Sequence, residues 1–187
     1  MIEKAGRERQ FHFQDAPVSE DPGTQWMVGM WLELGERVLD QVAHIPLEVL
    51  NTAPPGSYLV PARVVLHLVG NDLRMLPLLI GAFPGPDYQG VVTATTAADL
   101  QTMDTQGHDV RDILKRHLAF RRGLAGLRNL PPGFLDQAID HPSFATKREA
   151  LGHMIWHWSF HSGHLGAVTL ELGYEYVWRS SLREVTP

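Results

Sequence analysis

Histidines are the residues of this 187-residue sequence that are best placed to do chemistry. The chain has ten of them, and four share one predicted helix. These four are His153, His157, His161 and His164. At 3.6 residues per turn they fall at about 0°, 40°, 80° and 20° around the helix axis, within one narrow arc. Side chains four residues apart have Cβ atoms about 5–6 Å apart, which lets two imidazoles hold one ion. The spacing therefore predicts a metal site on this helix.

A transition metal on two helical imidazoles needs a ligand from a second element. His67 is the histidine inside a strongly apolar helical stretch, VVLHL, so it can meet the pair across the core if the two helices are neighbours. Three neutral imidazoles at about 2.0–2.1 Å leave positions open for water or substrate. They suit zinc or nickel best, with iron, cobalt or manganese as alternatives. Two other interpretations stay open, namely that His67 is a core histidine bonded to a carbonyl and that the four histidines line a wet polar seam. The cost of burying unpaired imidazoles favours the metal.

Composition excludes several other chemistries. The sequence has no cysteine, so disulfides, zinc knuckles, iron–sulfur clusters and a thiol nucleophile on the protein drop out. A formal net charge of −5 argues against a nucleic-acid binder. Polar residues and Pro77 interrupt the longest apolar stretch, which argues against a membrane span, and the charged start MIEKAGRERQ lacks the apolar run of a secretory signal. We therefore expect a cytoplasmic protein.

Helical periodicity predicts an all-α fold, a four-helix bundle. The four predicted helices lie within residues 24–42, 57–81, 97–129 and 146–172, with Pro77 kinking or ending the second and Gly107 splitting the third. Thr146 and Glu149 have capping-box spacing, and Gly173 supplies a left-handed cap. A long connection, residues 83–95, predicts a crossover between the second and third helices. We expect an extended arm over 1–23, the bundle over 24–173 and a tail over 174–187.

Two motifs carry a family resemblance. The run HWSFHSGHLG from His157 resembles the H-x-x-x-H-x-G-(Q)-(I/L) signature of the DinB/YfiT-like superfamily of metalloenzymes, and HLVGND from His67 resembles that family's H-L-x-x-x-E/D pattern. The resemblance covers roughly residues 24–173. It implies helices in up-down-down-up order, a homodimer, and a metal held by His67, His157 and His161. The sequence departs from the pattern at His164, where the family usually has glutamine; this side chain is then a hydrogen-bond donor behind the ligands, a proton shuttle or an extra ligand.

The resemblance also implies an activity. Relatives include metal-dependent thiol transferases that use bacillithiol, mycothiol or glutathione, and a mycothiol-dependent isomerase. The leading hypothesis is therefore an enzyme that activates a low-molecular-weight thiol against a small electrophile. Hydrolysis with His164 as the catalytic general base uses the same ligands. The alternatives are a non-catalytic metal-binding helical dimer in stress response or sensing, and a small-molecule-binding bundle without metal.

A few other side chains are candidates for supporting roles. Asp72 and Glu33 are candidate acceptors for the second N–H of a metal-bound imidazole, against the plainer interpretation that they are surface charges. Arg74 is a candidate partner for a substrate carboxylate. Four tryptophans at apolar helical spacing are predicted to pack in the core, with the alternative that one of them lines the pocket: Trp26, Trp31, Trp156 and Trp158.

Overall fold

The fold is helical, with a little strand at the two ends of the chain. A computed structural model describes residues 2–5, 8–9, 19–92, 98–105, 107–177 and 179–180. The helices are α1 (Pro22–Ala43), α2 (Leu47–Leu50), α3 (Pro61–Ile80), α4 (Asp99–Thr102), α5 (Val110–Gly123) and α6 (Lys147–Glu171). The predicted all-α class is confirmed. Residues 10–18 of the predicted arm and 181–187 of the predicted tail lie outside the described residues.

Helix α1 begins two residues earlier than the periodicity predicts. Asp21 is its N-cap, and the carboxylate accepts hydrogen bonds from the backbone N–H groups of Gly23 and Thr24 at 3.2 and 3.1 Å. Pro22 suits the first turn, where its missing N–H would have no partner in any case. The helix packs against both α5 and α6. It approaches α5 closely at Gly35, where a side chain would overlap those of Leu118 and Arg121.

Helix α3 is the most deeply buried element of the described chain. Buried positions run almost without a break from Pro61 to Asp72, because the helix packs against both α5 and α6. It also continues through Pro77 to Ile80, where Gly81 adopts a positive φ of 75°. Of the two predicted effects of Pro77, a kink or an end, the helix does not end there: a proline so near the C-terminus removes one backbone hydrogen bond, and Pro77 itself is exposed.

The segment between α3 and α5 is long and mostly irregular, with a single turn of 3-10 helix at Gln89–Val91 and the short helix α4. The third predicted helical region is divided as expected near Gly107, which has a φ of 82°. Only its second part forms a long helix, α5. The predicted start of this region, residue 97, lies outside the described residues.

Helix α6 has the predicted boundaries. Thr146 is the N-cap and accepts a hydrogen bond from the Glu149 N–H, while the Glu149 carboxylate accepts one from the Ala145 N–H at 2.6 Å. Gly173 follows the helix with a φ of 92°. At 1.5 Å per residue the 25 residues span roughly 38 Å. Its buried residues recur every three or four positions, so one face lies in the core and the other meets solvent.

Short strands join the two ends of the described chain. Strand β1 (Glu3–Ala5) pairs in parallel with β3 (Tyr174–Tyr176), and β2 (Glu8–Arg9) pairs in parallel with β4 (Arg179–Ser180). The periodicity of the sequence did not indicate these strands. None of the helices in the described residues combines the length and apolarity needed to cross a bilayer.

Candidate metal centre

Helix α6 presents its histidines at the border between core and solvent. His157 and His161 are each 7% exposed, one turn apart on the face that packs against α3. Their ring centroids are 4.5 Å apart. Residues one turn apart on a helix share a face, so the helix alone brings these two imidazoles together. The pairing predicted from the sequence is confirmed.

Helix α3 supplies the third imidazole. His67 is 5% exposed, and its ring centroid lies 4.7 Å from that of His157 and 4.8 Å from that of His161. The Nε2 atoms of His67 and His157 are 2.9 Å apart. One nitrogen from each of the three rings lies within 4.8 Å of the others. The structure therefore assembles the three predicted ligands at one point between α3 and α6, close enough to bind a metal ion.

The donor set fits a divalent transition metal. Bonds of about 2.0–2.1 Å to imidazole place neighbouring ligand nitrogens about 2.9–3.4 Å apart. The His67–His157 separation of 2.9 Å lies in this range, and all three ring nitrogens lie within 4.8 Å of one another. The Nδ1 atoms of His157 and His161 are also buried without a hydrogen-bond partner in the described chain. His67 and His157 face each other through Nε2, so an ion between the rings would bind His157 at Nε2 and leave its Nδ1 for another partner. All three ligands are neutral, so a bound divalent ion keeps its charge.

Burial keeps the two α6 imidazoles unprotonated. Burial and, after it, the neighbouring imidazoles of His161 and His67 together lower the pKa of His157 to about 3. Burial likewise lowers the pKa of His161 to about 4, with contributions from His67 and His164. At neutral pH both rings hold a free electron pair, which is the form that binds metal.

Two more histidines flank the three candidate ligands on α6. His164 is half-buried, and its ring centroid is 5.4 Å from that of His161. Its Nδ1 is buried and has no hydrogen-bond partner in the described residues. His153 lies on the other side, half-buried, with its ring 5.8 Å from that of His157. Burial and then the charge of Arg74 lower the pKa of His153. The histidines therefore form a continuous row, with the three closest at its centre.

The aspartate predicted to support the ligands does something else. Asp72 is not a surface charge, because its carboxylate is fully buried. The carboxylate is bonded to groups other than the three candidate imidazoles. Its Oδ1 accepts from the indole N–H groups of Trp31 at 3.2 Å and Trp158 at 2.8 Å. Its Oδ2 lies 3.1 Å from His117 Nε2 and 3.5 Å from Arg121 Nη1. One carboxylate thus joins α1, α3, α5 and α6.

The protonation of this buried cluster follows from its contacts. Burial alone would raise the pKa of Asp72, but the charge of Arg121 and the hydrogen bond from His117 hold it below its usual value. Burial lowers the pKa of His117 despite the carboxylate. The neutral ring then donates from Nε2 to Asp72 and accepts at Nδ1 from the hydroxyl of Tyr88, 3.0 Å away. Burial lowers the pKa of Arg121 to about 10, which leaves the guanidinium charged at neutral pH.

Sequence reasoning missed His117 and Arg121 as partners of Asp72. Arg121 is 1% exposed, whereas the adjacent Arg122 is exposed. The available signal was the helical register, because residues 110, 114, 117, 118 and 121 share the apolar face of α5. The two other candidates for supporting roles, Arg74 and Glu33, also contact groups other than the predicted ones. Arg74 is exposed and donates to Asn71 Oδ1 at 3.1 Å, and Glu33 accepts from Arg37 at 3.0 Å.

The tryptophans divide into two kinds. Trp31 and Trp158 are fully buried, as predicted, and the Arg121 guanidinium lies 3.6 and 4.9 Å from their ring centroids. Trp26 and Trp156 are 52% and 55% exposed, so the prediction that all four pack in the core is wrong for these two. The spacing of apolar residues identifies the buried face of a helix, but it does not show whether residues at the edge of that face are buried or exposed.

Comparison with known proteins does not identify this chain. No protein-family model matches it, and no curated protein shows significant similarity.

Proposed function

We propose that this protein is a metal-dependent enzyme whose metal is held by His67, His157 and His161, and that it transfers a low-molecular-weight thiol to a small electrophile. The observation that carries the proposal is the convergence of three buried imidazoles from α3 and α6. Three ligands leave positions open, which is the arrangement of catalytic rather than structural sites. Zinc or nickel fits best, and iron, cobalt or manganese would also accept this donor set.

A bound divalent ion would lower the pKa of a thiol that it coordinates. The chain's own residues supply the rest. His164 is next to the ligands and within the row, so it is the residue to accept the thiol proton. A new sulfur–carbon bond forms as the thiolate attacks the electrophile, and the leaving group departs with the electron pair of the bond that breaks. Because the sequence has no cysteine, the sulfur comes from the cosubstrate.

We also propose that the chain is a member of the DinB/YfiT-like superfamily, with its long helices in up-down-down-up order. Contacts between the helices support this order. Met27 and Gln41 of α1 contact Arg148 and Ser162 of α6 in the same sequence direction. Helix α5 is opposed to α1, since Arg121 bonds the Trp31 carbonyl and Arg111 bonds the Ile45 carbonyl. Residues 57–59, just before α3, line one cleft with His164 and Val168 of α6, whereas Asp72 bonds Trp158, so α3 runs in the opposite direction to α6. Dimerisation is part of the same proposal.

The alternative is a metal-binding helical dimer without turnover, acting in stress response or sensing. The flanking rings of His153 and His164 favour it, because either could complete the coordination sphere. Hydrolysis with His164 as general base remains the alternative reaction at the same ligands. The enzyme and the non-catalytic dimer differ in whether one coordination position of the metal stays open for substrate.

Metal content is the first test. The protein is purified without an affinity tag or nickel column, and its metals are measured by elemental analysis. We expect one divalent ion per chain, lost in the variants H67A, H157A and H161A. The matched control is H108A, which removes an exposed histidine away from the site. Full occupancy in H161A would contradict the ligand assignment.

Activity is the second test. Chlorodinitrobenzene and related electrophiles are offered with a panel of small thiols, and formation of the thioether is followed. We expect thiol-dependent turnover that chelators abolish and zinc restores. The variant H164A should lose about 10²-fold or more in kcat while keeping its metal, because a general base contributes about that much. A metal-loaded protein with uniform background rates across the panel would support the non-catalytic alternative.

A further inference from the structure

Two large aromatic side chains lie uncovered beside the three candidate ligands. Trp156 is 55% exposed and Phe160 is 45% exposed, one turn apart on α6. Their rings stack on each other, with centroids 5.1 Å apart and planes at 17°. Exposed aromatic rings that share a contact, next to a candidate site, mark a binding surface more often than a random surface residue does. We call this pair the aromatic strip.

The aromatic strip is continuous with the metal centre. The Phe160 ring lies edge-on to His161 at 5.2 Å and to His164 at 4.3 Å between centroids. At the other end, Trp156 lies 5.7 Å from His153, which in turn contacts His157. The strip therefore borders the solvent side of the row of histidines, while α3 covers the core side.

Space for a ligand lies beyond His164. An open cleft of about 350 Å³ is lined by this histidine, by the loop before α3 and by the last turns of α6. Tyr58, Leu59 and Val168 give it apolar walls. His164 thus stands between the metal centre and a space near the lower limit of small-molecule sites, which hold about 300–1,000 Å³.

The size of the aromatic strip fits a small molecule better than a second protein. A large aromatic side chain has about 150–250 Å² of surface, so two half-exposed rings offer on the order of 200 Å². A stable protein interface buries about 800 Å² on each partner. The strip alone is about a quarter of that, which suits a small molecule better than a protein partner.

We propose that the aromatic strip is the substrate wall of the metal centre and that it selects electrophiles with an aromatic or other flat apolar group. This inference rests on the proposed function, since it assigns the substrate class of the same site. Because the two rings stack on each other, a flat ring would stack on the outer face of one of them, with its reactive substituent toward His161 and His164. The strip supplies affinity and orientation, and the proton-transfer role stays with His164.

Two hydroxamates test the inference without relying on turnover. Acetohydroxamate and benzohydroxamate carry the same metal-binding group, and only the second carries a ring. Affinities for the zinc-loaded full chain are measured by calorimetry. We expect benzohydroxamate to bind about fivefold more tightly or better, in line with the strength of one aromatic stacking contact. In W156A and in F160L the ratio of the two affinities should fall toward one. The matched control W26A removes an equally exposed tryptophan on α1 and should keep the wild-type ratio.

The possible failures are distinguishable. If both hydroxamates bind zinc-loaded protein equally, the aromatic strip is not a substrate wall, and the open metal centre stands. If neither binds although zinc is present, the metal has no open position, and the proposed function fails together with this inference. If the wild type is a dimer by light scattering and W156A is a monomer, the strip belongs to an interface between copies, and the inference is wrong.

Discussion

The Nε2 atoms of His67 and His157 face each other at 2.9 Å, although 90 positions separate the two residues in the sequence. Two imidazole nitrogens at this distance either share one proton or share one cation. Burial lowers the pKa of His157 to about 3, so at neutral pH a shared proton would be the N–H of one neutral ring, and it would join these two nitrogens alone. The third nitrogen, from His161, is what makes a cation the better occupant.

Zinc should raise the thermal stability of the protein. A ligand that binds only the folded state, present at 100 times its Kd, adds about 2.7 kcal/mol to the free energy of unfolding. We expect a higher Tm with zinc for the wild type and no such increase for H67A, measured by calorimetry. H108A serves as the control and should respond like the wild type. An equal increase in H67A would place the zinc elsewhere.

Acid should destabilise the metal-free protein through its buried imidazoles. An unfolded histidine has a pKa of about 6.5, whereas the folded values are about 3 for His157 and about 4 for His161. Between pH 6.5 and 4 the unfolded chain therefore binds protons that the folded chain does not, so the free energy of unfolding falls as the pH falls. Urea unfolding at pH 7 and pH 5 measures the difference.

The double variant H157L/H161L is the control for this pH dependence. It lacks both proton acceptors, so its stability should differ less between pH 7 and pH 5 than that of the wild type. An unchanged difference would show that these two imidazoles do not carry the effect.

The variant D72N should destabilise the protein strongly. It removes the charge that balances the buried Arg121 guanidinium while keeping the shape of the side chain. Breaking a buried ion pair in this way costs about 3–5 kcal/mol. Chemical denaturation measures it, with D140N, at an exposed aspartate, as the matched control within about 0.5 kcal/mol of the wild type. A loss below 1 kcal/mol in D72N would contradict the described network.

Two glycine substitutions should have opposite effects on stability. G35A places a methyl group against Leu118 and Arg121, so α1 and α5 must move apart, at a cost of about 1–3 kcal/mol. G163A lies on α6 with nothing within 4 Å of the new methyl, so it should stabilise the protein by about 0.5–1 kcal/mol. Thermal unfolding of both variants compares them directly. Equal effects would mean that α1 and α5 are not in close contact at Gly35.

The local signals in the sequence predicted the helices and the three candidate ligands well. The capping box at Thr146 and the spacing of His157 and His161 are properties of one helix, so they can be read without tertiary information. His67 could be predicted because an imidazole in an apolar run needs a partner. The partners of Asp72 could not be predicted, since they come from three other helices whose rotations depend on packing. Trp156 was misassigned for a similar reason, because it lies at the edge of the apolar face.

The hydrogen bond from Trp158 to Asp72 also restricts the movement of the adjacent candidate ligand, His157. Trp158 follows His157 directly, and its indole is anchored to a carboxylate that is itself fixed from three directions. Turning α6 about its long axis would stretch that bond. The rotation of α6 about its own axis is therefore fixed in the metal-free protein, so metal coordination should need little reorganisation of the backbone.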